Sequence, residues 1–203
     1  MVWAKKDDPD PQKLILELAD SVEKQLLNQY PLMHSVEFES LCFGLAAELK
    51  AAKLRTCRLI HAPFDNAYAL ANGNVYVTTS LLKKIRNLHQ LGHILAHEWA
   101  HLELRHHLKL ALKYQNPGVF FPKSKIKKMR KKHEREADTW ANEKLHEKGY
   151  RIDQMIFVFA RLQDANDGIF RAEHPGLNLP QYKKNRTEEI HPAILELIKT
   201  LPP

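Results

Sequence analysis

One short stretch constrains this chain more than any other. Residues 93–107 read HILAHEWAHLELRHH and contain five histidines and two glutamates. His93, His97 and His101 are spaced by four, so on an α-helix they lie on one stripe. The segment HEWAH at 97–101 matches H-E-x-x-H, in which two imidazoles one turn apart can bind the same zinc ion. The pattern predicts a metal site on a helix, which another part of the chain must complete.

The glutamate of this motif, Glu98, has the position of a catalytic base. It follows the first histidine, so it lies beside the ion without binding it. There it can take a proton from a zinc-bound water and pass it to a leaving amine. Since the chain has 12 histidines, the motif alone is moderate evidence, and its context must decide.

Two patterns compete for the third ligand, and the first is a later histidine. His107 stands ten residues after His97, the spacing of the metzincin pattern H-E-x-x-H-x-x-G-x-x-H. Leu104 replaces the glycine that would turn the chain in that pattern. Ten residues of continuous helix rise about 15 Å, which is out of reach of one ion. We therefore expect His107 at the surface.

The second pattern is a glutamate on a later helix. The stretch HEREADTWANEKL at 133–145 places Glu134 and Asp138 four residues apart, on a face shared with Ala141. Small residues on that face would let this helix pack closely against the H-E-x-x-H helix. Glu134 could then complete the zinc sphere, and Asp138 could accept a hydrogen bond from the outer nitrogen of His97.

The remaining histidines of these helices show no ligand pattern. His93 lacks a following glutamate, and we expect it to line the cleft, partly buried. Surface positions are predicted for His89, His106 and His133.

Four motifs, in one order, resemble the gluzincin metallopeptidases related to HtpX and the CAAX prenyl protease. The motifs are NAYA (66–69), VYVTTSLL (75–82), H-E-x-x-H, and E-x-E-A-D (134–138), over about residues 64–142. The resemblance implies a zincin-like α+β domain, mostly helical, with a small sheet that bears an edge strand. It also implies a zinc-dependent endopeptidase that hydrolyses proteins or unfolded polypeptides through a zinc-activated water.

The resemblance implies a role for each matched site residue. His97, His101 and Glu134 would bind one Zn²⁺, and Glu98 would be the general base. Asp138 would accept a hydrogen bond from a zinc-binding histidine.

The resemblance also implies two groups of residues that contact substrate. Asn66 and Ala67 would belong to the edge strand, whose free backbone groups pair with an extended peptide. A His-Pro pair followed by an arginine would lie near the developing oxyanion, and here His174 and Arg186 are the candidates. Their separation is wider than in the family. The alternatives at this position are Tyr182, Lys183 and Lys184.

The length of 203 residues predicts one domain, over residues 12–203, after a polar leader, 1–11. Its parts are N-terminal helices (12–54), the sheet and H-E-x-x-H helix (55–114), the Glu-ligand helix (123–148) and a helical C-terminal part (150–203). Strands are expected near 56–61, 66–70 and 74–78, and a long helix over 79–112 with a break near Asn87.

The apolar segments and cysteines bear on location. No apolar run is long enough to span a membrane, and the first residues lack the apolar core of a signal peptide. We therefore expect a soluble, cytoplasmic protein in which Cys42 and Cys57 are buried free thiols.

The net charge of +7 is concentrated in one segment. Residues 123–135 carry eight Lys or Arg in KSKIKKMRKKHER, a pattern typical of a solvated helix face or of a surface that binds nucleic acid or anionic lipid. The alternative function is therefore a non-catalytic binding module with a structural zinc site, and a third reading is a metallopeptidase tethered through this helix. The physiological substrate and the oligomeric state do not follow from the sequence.

Overall fold

A computed structural model describes residues 10–114, 123–151, 153–154 and 189–201. These residues form a mostly helical α+β arrangement with one small mixed sheet, as the sequence predicts. In chain order the elements are α1 (Pro11–Gln29), β1 (Leu32–Met33), α2 (Val36–Leu49), β2 (Thr56–Ile60), β3 (Ala67–Ala69), β4 (Asn74–Thr78), α3 (Thr79–Lys84), α4 (Leu88–Glu103), α5 (His106–Tyr114), α6 (Lys123–Glu147) and α7 (Pro192–Lys199).

The sheet has the order β1-β2-β4-β3, so β3 is an edge strand. β2 and β4 run parallel, and each pairs antiparallel with its outer neighbour. Gly73 makes the turn between β3 and β4 at φ 89°, where a side chain would meet the Lys53 carbonyl oxygen at 2.6 Å. The three predicted strands are confirmed, whereas the two-residue β1 is too short to leave a periodic pattern in the sequence.

The long helix predicted over 79–112 is three helices. The predicted break near Asn87 is confirmed, because the Asn87 side chain caps α4 by accepting from the Gln90 amide at 3.0 Å. In return, the Gln90 side chain accepts from the Arg86 amide at 2.8 Å. A second break, absent from the prediction, lies at Arg105, which has a left-handed φ of 54°. This turn gives α5 its own direction.

The two site helices, α4 and α6, pack closely through small residues. A side chain at Gly92 of α4 would lie 3.0 Å from the Tyr150 ring and 3.5 Å from Leu145 of α6. Ala96 and Ala100 follow Gly92 at four-residue intervals, so they share its stripe, and both are fully buried. On α6, the equally buried small residues are Ala137 and Ala141. The predicted close packing of these helices is confirmed.

The apolar core lies between the sheet and these helices. Its largest fully buried side chains include Phe38, Leu82, Leu95 and Trp99. Among the described residues, no helix is both long enough and apolar enough to cross a bilayer. The predicted helix at 152–165 and loop at 173–185 lie almost wholly outside the described residues, and the domain division stays a prediction.

The prediction of free thiols is wrong. Cys42 of α2 and Cys57 of β2 form a disulfide, with their Cα atoms 6.3 Å apart and both side chains fully buried. The helix lies against the strand, which brings together two cysteines that are 15 residues apart. The cysteines therefore no longer support a reducing compartment.

Replacing both Cys42 and Cys57 by alanine should lower the free energy of unfolding by about 3 kcal/mol, because the unfolded chain loses a cross-link across a short loop. Urea denaturation with and without reductant measures this. The double variant is the control, since reductant should not change its midpoint. Alkylation of two cysteines in the unreduced, unfolded wild type would contradict the disulfide.

Candidate metal centre

Two turns of α4 and one turn of α6 bring three potential ligand atoms together. The Nε2 atoms of His97 and His101 are 3.1 Å apart. The Oε2 atom of Glu134 lies 3.2 Å from Nε2 of His97 and 3.7 Å from Nε2 of His101. The three residues form a group of metal-ligand type, as the sequence predicts.

The spacing of these atoms fits zinc. Tetrahedral zinc with bonds of about 2.0–2.1 Å places neighbouring ligand atoms roughly 3.3 Å apart. The three observed separations of 3.1, 3.2 and 3.7 Å bracket that value. Two imidazoles and one carboxylate are also a common catalytic zinc set. The residues present therefore fit one zinc ion.

Asp138 holds the outer nitrogen of the first histidine. Its Oδ1 atom lies 2.9 Å from Nδ1 of His97, one helical turn after Glu134. Burial by itself would lower the pKa of His97, but hydrogen bonds to Asp138 and Glu134 outweigh burial and raise this pKa to about 10. Hydrogen bonds from His97 and His101 likewise outweigh burial at Glu134 and lower the pKa of its carboxyl group. The centre thus strongly favours positive charge.

His106 holds the outer nitrogen of the second histidine. Nδ1 of His106 lies 3.1 Å from Nδ1 of His101, and Nε2 of His106 lies 3.2 Å from Oε2 of Glu136. The His106 ring stacks on His133 with centroids 4.2 Å apart. Each imidazole of the H-E-x-x-H motif therefore has a polar partner behind it.

The predicted surface positions of His106 and His133 are wrong. Their side chains are 2% and 6% exposed, and burial lowers the pKa of both, that of His106 to about 3. The left-handed turn at Arg105 points the first residue of α5 back towards His101. Continuous helix would have carried it away. A positive φ at an arginine leaves no glycine signal in the sequence, so this arrangement was missed.

Comparison with known proteins identifies the region that contains the H-E-x-x-H helix. Residues 37–121 match the model of peptidase family M48. Because of this similarity, we call residues 37–121 the M48 segment. The match ends before Glu134, so the position of Glu134 in the centre rests on the packing of α6 and not on the M48 segment.

Curated relatives align with a shorter part of the chain. Each carries the name "Metalloendopeptidase OMA1, mitochondrial". The cattle protein is 44% identical over 48 residues, which are 24% of this chain and 9% of the relative. The zebrafish protein is 41% identical over 46 residues (23% and 10%), and the human protein 40% over 48 (24% and 9%). The alignments thus span about a tenth of these relatives. They do not single out the HtpX or CAAX prenyl protease branch.

The M48 segment also contains the edge strand β3. The Thr78 amide donates to the Asn66 carbonyl oxygen at 3.0 Å, and the Leu70 amide to that of Asn74 at 2.9 Å. Backbone groups alternate between the two sides of an antiparallel strand, so those of Ala67 and Ala69 point away from β4. The main-chain groups of Asn66 are used within the sheet, while its side chain accepts from the Ala67 amide at 3.0 Å.

Three other histidines of the M48 segment are more buried than the sequence predicts. His93 is 5% exposed, more buried than the predicted cleft-lining position. His107 is half-buried rather than at the surface, and burial lowers its pKa to about 4. As predicted, it is not part of the ligand group. His89 is half-buried with its ring edge against Tyr150, so the prediction of a surface position is wrong here too.

The remaining predicted residues divide into two sets. Glu98 is half-buried, follows His97 directly, and has no hydrogen-bond partner for its carboxylate among the described residues. The predicted oxyanion residues and their alternatives lie outside the described residues: His174, Arg186, Tyr182, Lys183 and Lys184.

Replacing Ala141 by leucine should lower the free energy of unfolding by about 1–3 kcal/mol, because the added atoms force α6 away from α4. Thr139→Leu adds a larger side chain at an exposed position of the same helix and should change stability by less than about 0.5 kcal/mol. Chemical denaturation of both variants compares the two sites. Equal stability of the Ala141 variant and the wild type would show that the contact between these helices is loose.

Proposed function

We propose that this chain is a zinc-dependent endopeptidase of the gluzincin type. The observation that carries the proposal is the convergence of His97, His101 and Glu134 to mutual distances of 3.1–3.7 Å, with Glu98 next to the first ligand. The match of residues 37–121 to peptidase family M48 and the name of the aligned relatives support the same activity. Proteins or unfolded polypeptides are the proposed substrates.

The number of ligands favours a catalytic over a structural site. Structural zinc sites generally use four protein ligands, whereas catalytic sites use three and leave one position open. The ligand group has three members among the described residues. This favours a peptidase over the alternative of a non-catalytic module with structural zinc.

The residues around the centre then have separate tasks. When bound, zinc polarises the scissile carbonyl group and lowers the pKa of water. Glu98 takes the proton of the attacking water and delivers it to the leaving nitrogen. Ala67, on the outer side of β3, is the proposed contact for an extended peptide through its carbonyl group, since its amide already donates to the Asn66 side chain. His174 and Arg186 remain the proposed oxyanion residues.

Each histidine has a polar partner at Nδ1, which leaves its Nε2 atom to the proposed zinc ion. A neutral imidazole that binds zinc through Nε2 carries its proton on Nδ1 and donates it to a second partner. For His97 that partner is Asp138. For His101 it is Nδ1 of His106, which must then be unprotonated, so His106 carries its proton on Nε2 and donates it to Glu136. A metal ion on Nε2 of His106 would place the proton of His106 on Nδ1, so His106 could no longer accept a hydrogen bond from His101.

The proton positions on His101 and His106 also bear on a second group of metal-ligand type. His106, His133 and Glu136 also have potential ligand atoms within 4.8 Å of one another. Since a metal ion there would remove the acceptor for His101, we assign this group a supporting role and expect one zinc per chain.

Glu98→Gln should retain zinc with unchanged affinity and cut unfolded protein at least about 100-fold more slowly, because the amide cannot take up the proton. Glu143→Gln makes the same chemical change at an exposed position of α6 and should match the wild type. Removal of zinc by a chelator should abolish cleavage by all three proteins. Wild-type cleavage rates in zinc-loaded Glu98→Gln would exclude the proposed base.

His106→Gln should weaken zinc binding by about 10–100-fold, because glutamine reaches the position of Nε2 but offers His101 no acceptor. His106→Asn should retain most of the affinity, since its amide oxygen can take the place of Nδ1. Competition with a chromogenic chelator measures both, with the exposed His146→Gln as control. Two zinc ions bound by the wild type and one by either His106 variant would instead make His106 a ligand.

A further inference from the structure

A cavity of about 450 Å³ adjoins the proposed zinc centre. Two of the proposed ligands, His101 and Glu134, form part of its wall. Lys127, Arg130 and Lys131 of α6 form another part of the same wall. The cavity is therefore continuous with the site of the proposed reaction, and three positively charged side chains line it.

The positive charge of this wall follows from the helical spacing of α6. At 100° per residue, Lys127, Arg130 and Lys131 all lie within about 60° of Glu134 around the helix axis. They precede it by three to seven residues, a rise of about 4.5–10.5 Å. We call these three residues the inner cations. Three other lysines of this stretch lie about 120–180° from Glu134: Lys125, Lys128 and Lys132.

The inner cations have no carboxylate partner among the described residues. Lys132, on the other side of the helix, lies 3.6 Å from Glu136. Of the described residues that line the cavity, Glu134 is the one acidic residue, and a zinc ion bound to it would offset its charge. With zinc present, the cavity would be positive and would suit a negatively charged group.

We propose that this cavity is a substrate subsite for an aspartate or glutamate side chain of the peptide. The inference rests on the proposed endopeptidase function and deepens it. An extended peptide advances about 3.3–3.4 Å per residue, so the inner cations lie one to three residues from the scissile bond. A carboxylate in the subsite makes charge-assisted hydrogen bonds with Lys127, Arg130 or Lys131.

The shape of the site favours a side chain over an anionic surface. A cavity of this size is typical of small-ligand and side-chain pockets. A lipid surface or a nucleic acid could contact any exposed cation of α6, and Lys125 and Lys128 are as exposed as Lys127 and Arg130. Lys127 and Arg130, however, line the cavity beside the centre, and Lys125 and Lys128 do not. The two faces can therefore be tested separately.

The experiment compares two variants with the same change in charge. Lys127→Glu with Lys131→Glu alters the inner cations, and Lys125→Glu with Lys128→Glu alters the opposite side of the helix. Zinc-loaded wild type first digests an unfolded protein, and mass spectrometry of the products shows which residues flank the cleaved bonds. Peptides that differ only by Glu, Gln or Lys at the enriched position then give kcat/KM for each protein.

The wild type should cleave the Glu peptide at least about fivefold faster than the Gln peptide, and the difference should shrink at about 1 M salt, where the Debye length is about 3 Å. The variant with Lys127→Glu and Lys131→Glu (the inner variant) should lose this preference or favour Lys. The variant with Lys125→Glu and Lys128→Glu (the outer variant) should retain the preference. Lys127→Gln, a milder change at an exposed position, should reduce the preference and guards against misfolding of the double variant.

Three results would overturn the inference. Cleavage without an acidic preference within three residues of the scissile bond would exclude the subsite but leave the proposed function intact. Absence of any cleavage by zinc-loaded wild type would overturn the proposed function itself. Binding to phosphatidylserine vesicles that the inner variant loses and the outer variant keeps would assign the inner cations to a membrane surface.

Discussion

The close packing of α4 against α6 is the constraint on which the site depends. A side chain at Gly92 would lie tightly against the Tyr150 ring, at 3.0 Å, and Ala137 and Ala141 are completely buried. At this separation a carboxylate of one helix reaches two imidazoles of the other, so three electron-rich atoms face one another within 3.7 Å. Such a cluster is costly unless a cation or a shared proton lies within it. The raised pKa of His97 is the electrostatic consequence, and a divalent cation is the natural occupant.

The same packing arranges the groups behind the centre. Asp138 follows Glu134 by one turn, so it reaches His97 whenever Glu134 reaches the ligand group. His106 depends on a different feature, the left-handed Arg105, which ends α4 and starts α5 back towards His101. The two histidines of the motif are thus positioned by different elements, His97 by α6 and His101 by the start of α5. This difference predicts that changes in the α4–α5 turn affect His101 more than His97.

The local elements and the grouping of the candidate ligands were predictable because they follow from short-range patterns. Four-residue spacing on α4 and α6 predicted His97, His101, Glu134 and Asp138 together, and strand propensity with a turn signal predicted β3 and β4. The errors came from features that depend on tertiary structure. A left-handed arginine and the approach of α2 to β2 that pairs Cys42 with Cys57 have no local sequence signal.

The binding of zinc by His97, His101 and Glu134 can be seen in a zinc-bound crystal structure with anomalous scattering data. One strong zinc peak is expected, about 2.0–2.2 Å from Nε2 of His97, Nε2 of His101 and a carboxylate oxygen of Glu134. A peak between His106, His133 and Glu136, with Glu134 turned towards solvent, would contradict it.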